Sequence, residues 1–319
     1  MSDRPLVLIP GRINPRVRSR LAEQFELVEV ADASAADCDP DILQQVRGAA
    51  VSGRFPAALI ERLPKLEVIA SFGVGYDGVE VKAAAQRGIV VTNTPDVLND
   101  EVADTAIALL LNTIRRFHFA EQFLREGRWE KEGAFPLSPM SLKGRKVGLH
   151  GLGRIGMEIA SRLVPFKVEI AYHTRRPRAD VAYTYHDSLV GMAKAVDILI
   201  SIVPSTPQTN GAINSEVLAA LGSDGVLINV GRGSTVDEPA LIAALQNGTI
   251  AAAGLDVFAD EPHVPQALMD LPNASLLPHV ASASVPTRNA MADLVVDNLI
   301  SWFDGRGPLT PVPETPAVR

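Results

Sequence analysis

The chain has 319 residues, 47% hydrophobic and 21% charged, a balance that suits a soluble globular protein of about two domains. Its net charge of -7 argues against broad nucleic-acid binding while leaving room for a local basic pocket that holds an anionic ligand. A single cysteine, Cys38, excludes an intrachain disulfide and a thiolate metal cluster, and the apolar run Leu6 to Ile9 is too short for a signal sequence or membrane span; a cytoplasmic protein with no metal and no membrane partner is expected.

The first hundred residues alternate short apolar strands with helical segments. Strands are expected at Leu6–Ile9, Leu27–Val30, Ala49–Ser52, Val68–Ser71 and Val90–Asn93, with helices such as Pro15–Phe25 and Ala57–Leu63 between them. Five such units predict a doubly wound parallel sheet, whose ligands gather at the carboxyl ends of the strands. The loop Ser71-Phe-Gly-Val-Gly-Tyr-Asp77 falls at such an end, and its glycines can turn backbone N–H groups toward an anion. A plain glycine turn would read the same way. Beyond Thr94-Pro95, the stretch Asp100 to about Arg125 predicts one long helix, capped by Asn99 or Asp100 and apolar nearly all round from Ala106 to Leu111. Such a helix suits a crossover or a subunit interface. Gly127 to Ser141 is expected to be an irregular connection anchored by Trp129 and Phe135.

A second α/β unit opens with Lys146-Val-Gly-Leu-His-Gly-Leu-Gly-Arg-Ile-Gly-Met157, a strand, a glycine turn and a helix start. This is G-x-G-x-x-G in the context that gives it meaning: Gly151 permits the tight turn, Gly153 a close approach of a pyrophosphate, and Gly156 close packing of helix on strand. A dinucleotide site is expected here. Further strands are expected at Val168–Tyr172, Ile198–Val203, Val226–Val230, Ala252–Asp256 and Leu276–Pro278. Apolar residues at helical spacing from Pro286 to Asp304 predict a closing helix, and the proline-rich tail 305–319 should be extended or loose.

In NAD sites an acid about twenty residues past the glycines binds the ribose 2′-hydroxyl. Here that place holds His173-Thr-Arg-Arg-Pro-Arg178, and no acid occurs before Asp180. Guanidinium forks bind a 2′-phosphate that a carboxylate would repel. NADP(H) is therefore the expected cofactor, with Thr174, Arg175 and Arg176 on its 2′-phosphate, and NAD(H) is admitted as a second. Three later strand ends carry Arg232, Glu261 and His279. An arginine to bind a carboxylate or polarise a carbonyl, a histidine to donate a proton and a carboxylate to favour the imidazolium suit hydride chemistry on a keto acid.

With these residues in view the whole chain resembles the D-2-hydroxyacid dehydrogenase family. The resemblance is carried by Gly73-Val-Gly-Tyr-Asp77, Thr92-Asn-Thr-Pro95, Glu101-Val-Ala-Asp104, Gly151-Leu-Gly-Arg-Ile-Gly156, Val203-Pro-Ser-Thr-Pro-Gln-Thr209, Asn229-Val-Gly-Arg-Gly233, Gly254-Leu-Asp-Val-Phe258, Glu261-Pro262 and Pro278-His279. It implies two doubly wound parallel-sheet domains with a cleft between them: a flavodoxin-like substrate domain, residues 1–98 completed by 286–319, and an NADP-binding Rossmann domain, residues 99–285. It implies Arg232, Glu261 and His279 as the catalytic three. Substrate carboxylate would meet Arg232 and the N–H groups of Val74 and Gly75. Arg154 and Ile155 would touch the pyrophosphate, Val203, Pro204 and Thr209 would line the cofactor, and Val230 and Asp256 would lie toward the nicotinamide. A homodimer through helix 100–125 is also implied.

Within the family the chain is most similar to NADPH-preferring glyoxylate and hydroxypyruvate reductases, through the Thr-Arg-Arg stretch, Val91 to Val97 and Leu277 to Ser284. Two alternatives stay open at this point. One is an NADH-dependent dehydrogenase of a bulkier 2-keto acid, and the other is a cofactor-sensing binding protein.

Overall fold

The computed structural model describes residues 4–35 and 38–315; the end of the tail expected to be loose, 316–319, lies outside the described residues. The chain forms two compact units, residues 1–98 with 284–319, and residues 99–283.

The first unit holds a parallel sheet of β1 (Leu6–Pro10), β2 (Glu26–Val30), β3 (Val46–Val51), β4 (Val68–Ser71) and β5 (Val90–Thr92), in the order β2-β1-β3-β4-β5. All four residues of β4 are buried, as they must be in a sheet covered on both faces. One face packs Leu8, Ala49, Val51 and Ile69 against Leu59, Ile60 and Leu63. The other packs Val7, Ile9, Ala50, Val68 and Ala70 against Val17 and Leu21, and against Val295, Val296 and Leu299 of the closing helix Val285–Phe303. Each of these fully buried Val, Leu and Ile side chains contributes roughly 1.5–3 kcal/mol. Arg16 and Arg20 fork onto Asp293 at 2.7 and 2.8 Å, and Arg20 reaches Asp297 at 2.8 Å, which fixes the closing helix in this unit.

The second unit holds β6 (Lys146–His150), β7 (Glu169–His173), β8 (Thr184–His186), β9 (Ile198–Ser201), β10 (Val226–Asn229), β11 (Ala252–Leu255) and β12 (Ala274–Leu276). They form one parallel sheet in the order β12-β11-β10-β9-β6-β7-β8. The strand expected at Leu276–Pro278 sits two residues earlier, because Leu277 and His279 turn back to bond the carbonyls of Leu255 and Asp256. The short edge strand β8 carries too few apolar residues to stand out in the sequence.

The long helix departs from expectation. It runs Asn99–Arg115, breaks at Arg116, and resumes as Phe117–Arg125. Arg116 takes a left-handed conformation, with φ 57°. The His118 N–H, which a continuous helix would give to Ile114, goes instead to the Asn112 side chain at 3.0 Å, and Ser138 Oγ donates to the Ile114 carbonyl at 2.7 Å. A polar swap thus satisfies both backbone groups at the break. The connection expected to be irregular contains a further short helix, Arg128–Glu132. Trp129 is 62% exposed, whereas Phe135 meets Phe123 edge-on at 5.4 Å. Arg162 ties Asn99–Arg115 to the helix Arg154–Leu163 by bonding Asp100, Asp104 and Glu158 at 2.7, 2.5 and 2.7 Å.

His150 ends β6, only 5% exposed, with its ring stacked on His173 at 5.8 Å and its Nδ1 without a hydrogen-bond partner. Burial, helped by the neighbouring His173, pushes its pKa down from 6.5 to about 4. A depressed histidine contributes stability that is fully present above pH 6.5 and is lost as the pH falls toward 4, here roughly 3 kcal/mol. In urea titrations His150→Asn should flatten that part of the stability profile relative to the wild type; parallel profiles would contradict the assignment.

Candidate active site

The glycine turn follows β6 directly. Gly151 has φ +101°, which side chains rarely adopt, and a Cβ on Gly156 would lie 2.5 Å from the Gly151 carbonyl oxygen. The two glycines therefore let the helix Arg154–Leu163 start hard against the strand end. A Cβ on Gly153 would meet no protein atom within 4 Å, so the space over the helix start is open. Arg154 and Ile155 occupy its first turn. A helix N-terminus facing open space fits a diphosphate.

At the end of β7, Arg175 and Arg176 are exposed, and their guanidinium groups bond to no other group among the described residues. Thr174 Oγ1 donates to the Arg176 carbonyl at 2.6 Å and so shapes the turn. One residue that sequence reasoning passed over connects this turn to the glycine loop. Arg178 Nη1 donates to the Leu152 carbonyl at 2.6 Å, its backbone N–H donates to Tyr172 Oη at 2.8 Å, and its guanidinium pairs with Asp180. The only signal for it was its place at the end of the basic run. Asp180, the first acid after β7, is spent on Arg178. The turn therefore presents cations, which fits the 2′-phosphate of NADP better than a bare ribose hydroxyl.

Farther along the same sheet edge, His279 Nδ1 and Glu261 Oε2 are 2.7 Å apart, and Glu261 Oε1 accepts the Phe258 N–H at 3.0 Å. Pro262 follows Glu261 across a cis peptide. His279 has φ 53°, an uncommon conformation for a residue with a side chain. It is held there by Asp256, which is fully buried. The Asp256 carbonyl accepts the His279 N–H at 2.8 Å, and its two carboxylate oxygens accept those of Val280 and Ala281 at 2.7 and 2.9 Å. Burial pushes the Asp256 carboxyl up from its usual range, and the two amides pull it back. Its side chain is thus committed to the histidine loop.

Arg232 follows β10, half-buried, with Nη1 donating to the Gly231 carbonyl at 2.9 Å. The next residue, Gly233, packs so tightly on the backbone of Phe258 that an ideal Cβ there would sit 1.9 Å from it. The arginine loop, the Phe258–Glu261 segment and His279 are therefore consecutive layers of one edge. Val230 lies buried at the root of the arginine loop. Val203 and Pro204 open the loop after β9, and Thr209 closes it, donating to the Pro204 carbonyl at 2.6 Å and accepting the Thr206 N–H at 2.8 Å. In the first unit, the N–H groups of Val74 and Gly75 donate to nothing among the described residues, while the Val74 carbonyl accepts from Asn93 at 2.8 Å. Among the described residues no cluster of three metal-ligating side chains occurs, and no helix is long and apolar enough to cross a membrane.

The chain is similar to known dehydrogenases and reductases. The family model for the NAD binding domain of D-isomer specific 2-hydroxyacid dehydrogenases matches residues 107–281. Hydroxyphenylpyruvate reductase of Plectranthus scutellarioides is 50% identical over 256 residues, 80% of this chain and 81% of its own. Glyoxylate/hydroxypyruvate reductase A of Arabidopsis thaliana is 49% identical over the same coverage of 80% and 81%. The crystal structure of an NADPH-dependent glyoxylate/hydroxypyruvate reductase from Sinorhizobium meliloti, in complex with NADP and malonate, is similar at 65% identity and a TM-score of 0.97, covering 99% of each chain.

The contact of Gly233 with Phe258 gives a direct test of how the edge is built. Gly233→Ala should cost about 1–3 kcal/mol of stability in denaturant titration, the usual scale for overpacking. Wild-type stability would show that the two loops are not in close contact.

Proposed function

The chain belongs to the D-isomer specific 2-hydroxyacid dehydrogenase family, and we propose that within it the chain reduces small 2-keto acids, glyoxylate and hydroxypyruvate, to D-2-hydroxy acids with NADPH. The observation that carries the reading is the 2.7 Å pair of His279 and Glu261 on the same sheet edge as a glycine turn and a free basic turn. The 65% identity to a reductase solved with NADP supports the cofactor.

NADPH, when bound, supplies the hydride for C2 of the keto acid. The residues that would hold it are Gly151 to Gly156 at the diphosphate, Thr174 to Arg176 at the 2′-phosphate, and Val203, Pro204, Thr209 and Val230 along its length. Asp256 acts from below, by holding the histidine loop. With Nδ1 of His279 turned to Glu261, Nε2 is the nitrogen left to give a proton to the substrate oxygen as C2 is reduced. Glu261 fixes the ring and balances its charge while it is doubly protonated. Arg232 draws in the substrate carboxylate and polarises the keto oxygen, and the N–H groups of Val74 and Gly75 are further donors to that carboxylate. The likeness to a hydroxyphenylpyruvate reductase supports keeping aryl 2-keto acids in the substrate range. The proposal includes a cytoplasmic location and a homodimer formed through residues 100–125, on which Phe117 and Leu124 stand 48% and 55% exposed.

His279→Ala should lower kcat with hydroxypyruvate by about 10²–10⁴-fold, the scale of a lost general acid, with little change in NADPH binding. Near wild-type turnover would remove His279 from this role.

A further inference from the structure

The first unit has a strand order in which consecutive connections leave β1 to one side for β2 and to the other for β3, β4 and β5. The crevice beyond the carboxyl ends of β1 and β3 is the position where doubly wound sheets hold ligands. The reaction proposed above does not use it: Val74 and Gly75 follow β4. Yet a cavity of about 630 Å3 lies there, within the range of small-molecule sites. It is walled by Pro10 to Arg12 after β1, Ala31 to Ser34 after β2, and Ser52, Arg54 and Pro56 after β3, so every residue comes from this unit.

The charge in this cavity is unbalanced. Arg12, Arg54 and Arg62 line it against one acid, Asp32, in a chain whose net charge is -7. Arg12 and Arg54 are exposed and have no hydrogen-bond or ion-pair partner among the described residues. Asp32 does not quench them; hydrogen bonds from the Ser34 hydroxyl and from the Ser34 N–H, the latter at 2.7 Å, hold its pKa below the usual range. Arg62 is built in, donating to the carbonyls of Ser34 and Ala35 at 2.5 and 3.1 Å and so bracing the wall. Opposite the guanidinium groups, Pro10, Pro56 and Leu59 offer an apolar surface for a carbon skeleton.

We propose that this switch-point cavity is a second binding site, for a small phosphate-bearing molecule, with Arg12 and Arg54 on the phosphate. A phosphate ester presents three acceptor oxygens and up to two charges, which suits two free guanidinium forks better than the two oxygens of one carboxylate. The site is formed by the first unit alone and stands independently of the reduction reaction.

The test is calorimetric titration of the full chain, saturated with NADPH so that the basic turn after β7 is filled. Ribose 5-phosphate is the probe, ribose the uncharged control and inorganic phosphate the probe for the free anion. The sugar phosphate should bind once per chain and ribose should not. Tighter binding of the ester than of inorganic phosphate would show that the apolar wall takes part, and equal binding would make free phosphate the ligand. Arg12→Ala and Arg54→Ala should each weaken binding about tenfold or more, with unchanged thermal unfolding, and Arg54→Gln serves if Arg54→Ala unfolds. Arg12→Ala should leave the KM for hydroxypyruvate unchanged, a readout that follows the reductase reaction separately. No binding of either phosphate, binding unaffected by both substitutions, or competition between the probe and hydroxypyruvate would each overturn the proposal.

Discussion

Asp256 accepts three consecutive N–H groups, from His279, Val280 and Ala281, and is buried without exposure while doing so. Removing a carboxylate from water is costly unless hydrogen bonds replace the lost solvation, and here two amides do so for the side chain while the main-chain oxygen takes the third. The result is a rigid turn that keeps His279 at a positive φ and aims its ring at Glu261. Glu261 is fixed in turn by the Phe258 N–H, and Phe258 is fixed by the absence of any side chain on Gly233. Arg232 precedes that glycine. One buried carboxylate and one missing Cβ thus determine where three functional groups stand, and the parallel sheet supplies the row of strand ends on which they are mounted.

The other half of the same edge works by a different device. The glycine turn and the basic turn are separate in sequence, but Arg178 joins them by reaching from the end of one to the Leu152 carbonyl of the other. Its pairing with Asp180 withdraws the nearest acid from the turn and leaves Arg175 and Arg176 as the exposed charges. The basic turn and the glycine turn are therefore mechanically connected. The long helix Asn99–Arg115 is bound to the helix after the glycine turn through Arg162 and two carboxylates, Asp100 and Asp104, so that helix start has a fixed seat.

Much of this was legible in the sequence. Buried parallel strands are short apolar runs, and β4, β6, β9, β10 and β11 stand out as such within a residue or two. The glycine turn, Arg232 and His279 stand out because each closely follows such a run, and Glu261 because it lies in the loop after β11. What escaped depends on partners that local pattern does not encode. The break at Arg116 follows from Asn112 and from Ser138, which is 24 residues away from the carbonyl it satisfies. The shift of β12 follows from bonds back to Leu255 and Asp256. Arg178 looks like its neighbours until its hydrogen bonds are seen. The cavity beyond β1 and β3 is likewise invisible in sequence, since Arg12, Arg54 and Arg62 are brought together only by the strand order.

We propose that the chain is a reductase whose basic turn selects NADPH. The most direct measurement is the initial rate of hydroxypyruvate and glyoxylate reduction with NADPH and with NADH, for the wild type and for the Arg175→Ala, Arg176→Ala double variant. The account predicts faster turnover with NADPH, and a rise in the KM for NADPH in the variant that far exceeds any rise for NADH. Preference for NADH in the wild type, or equal effects on both cofactors, would contradict it.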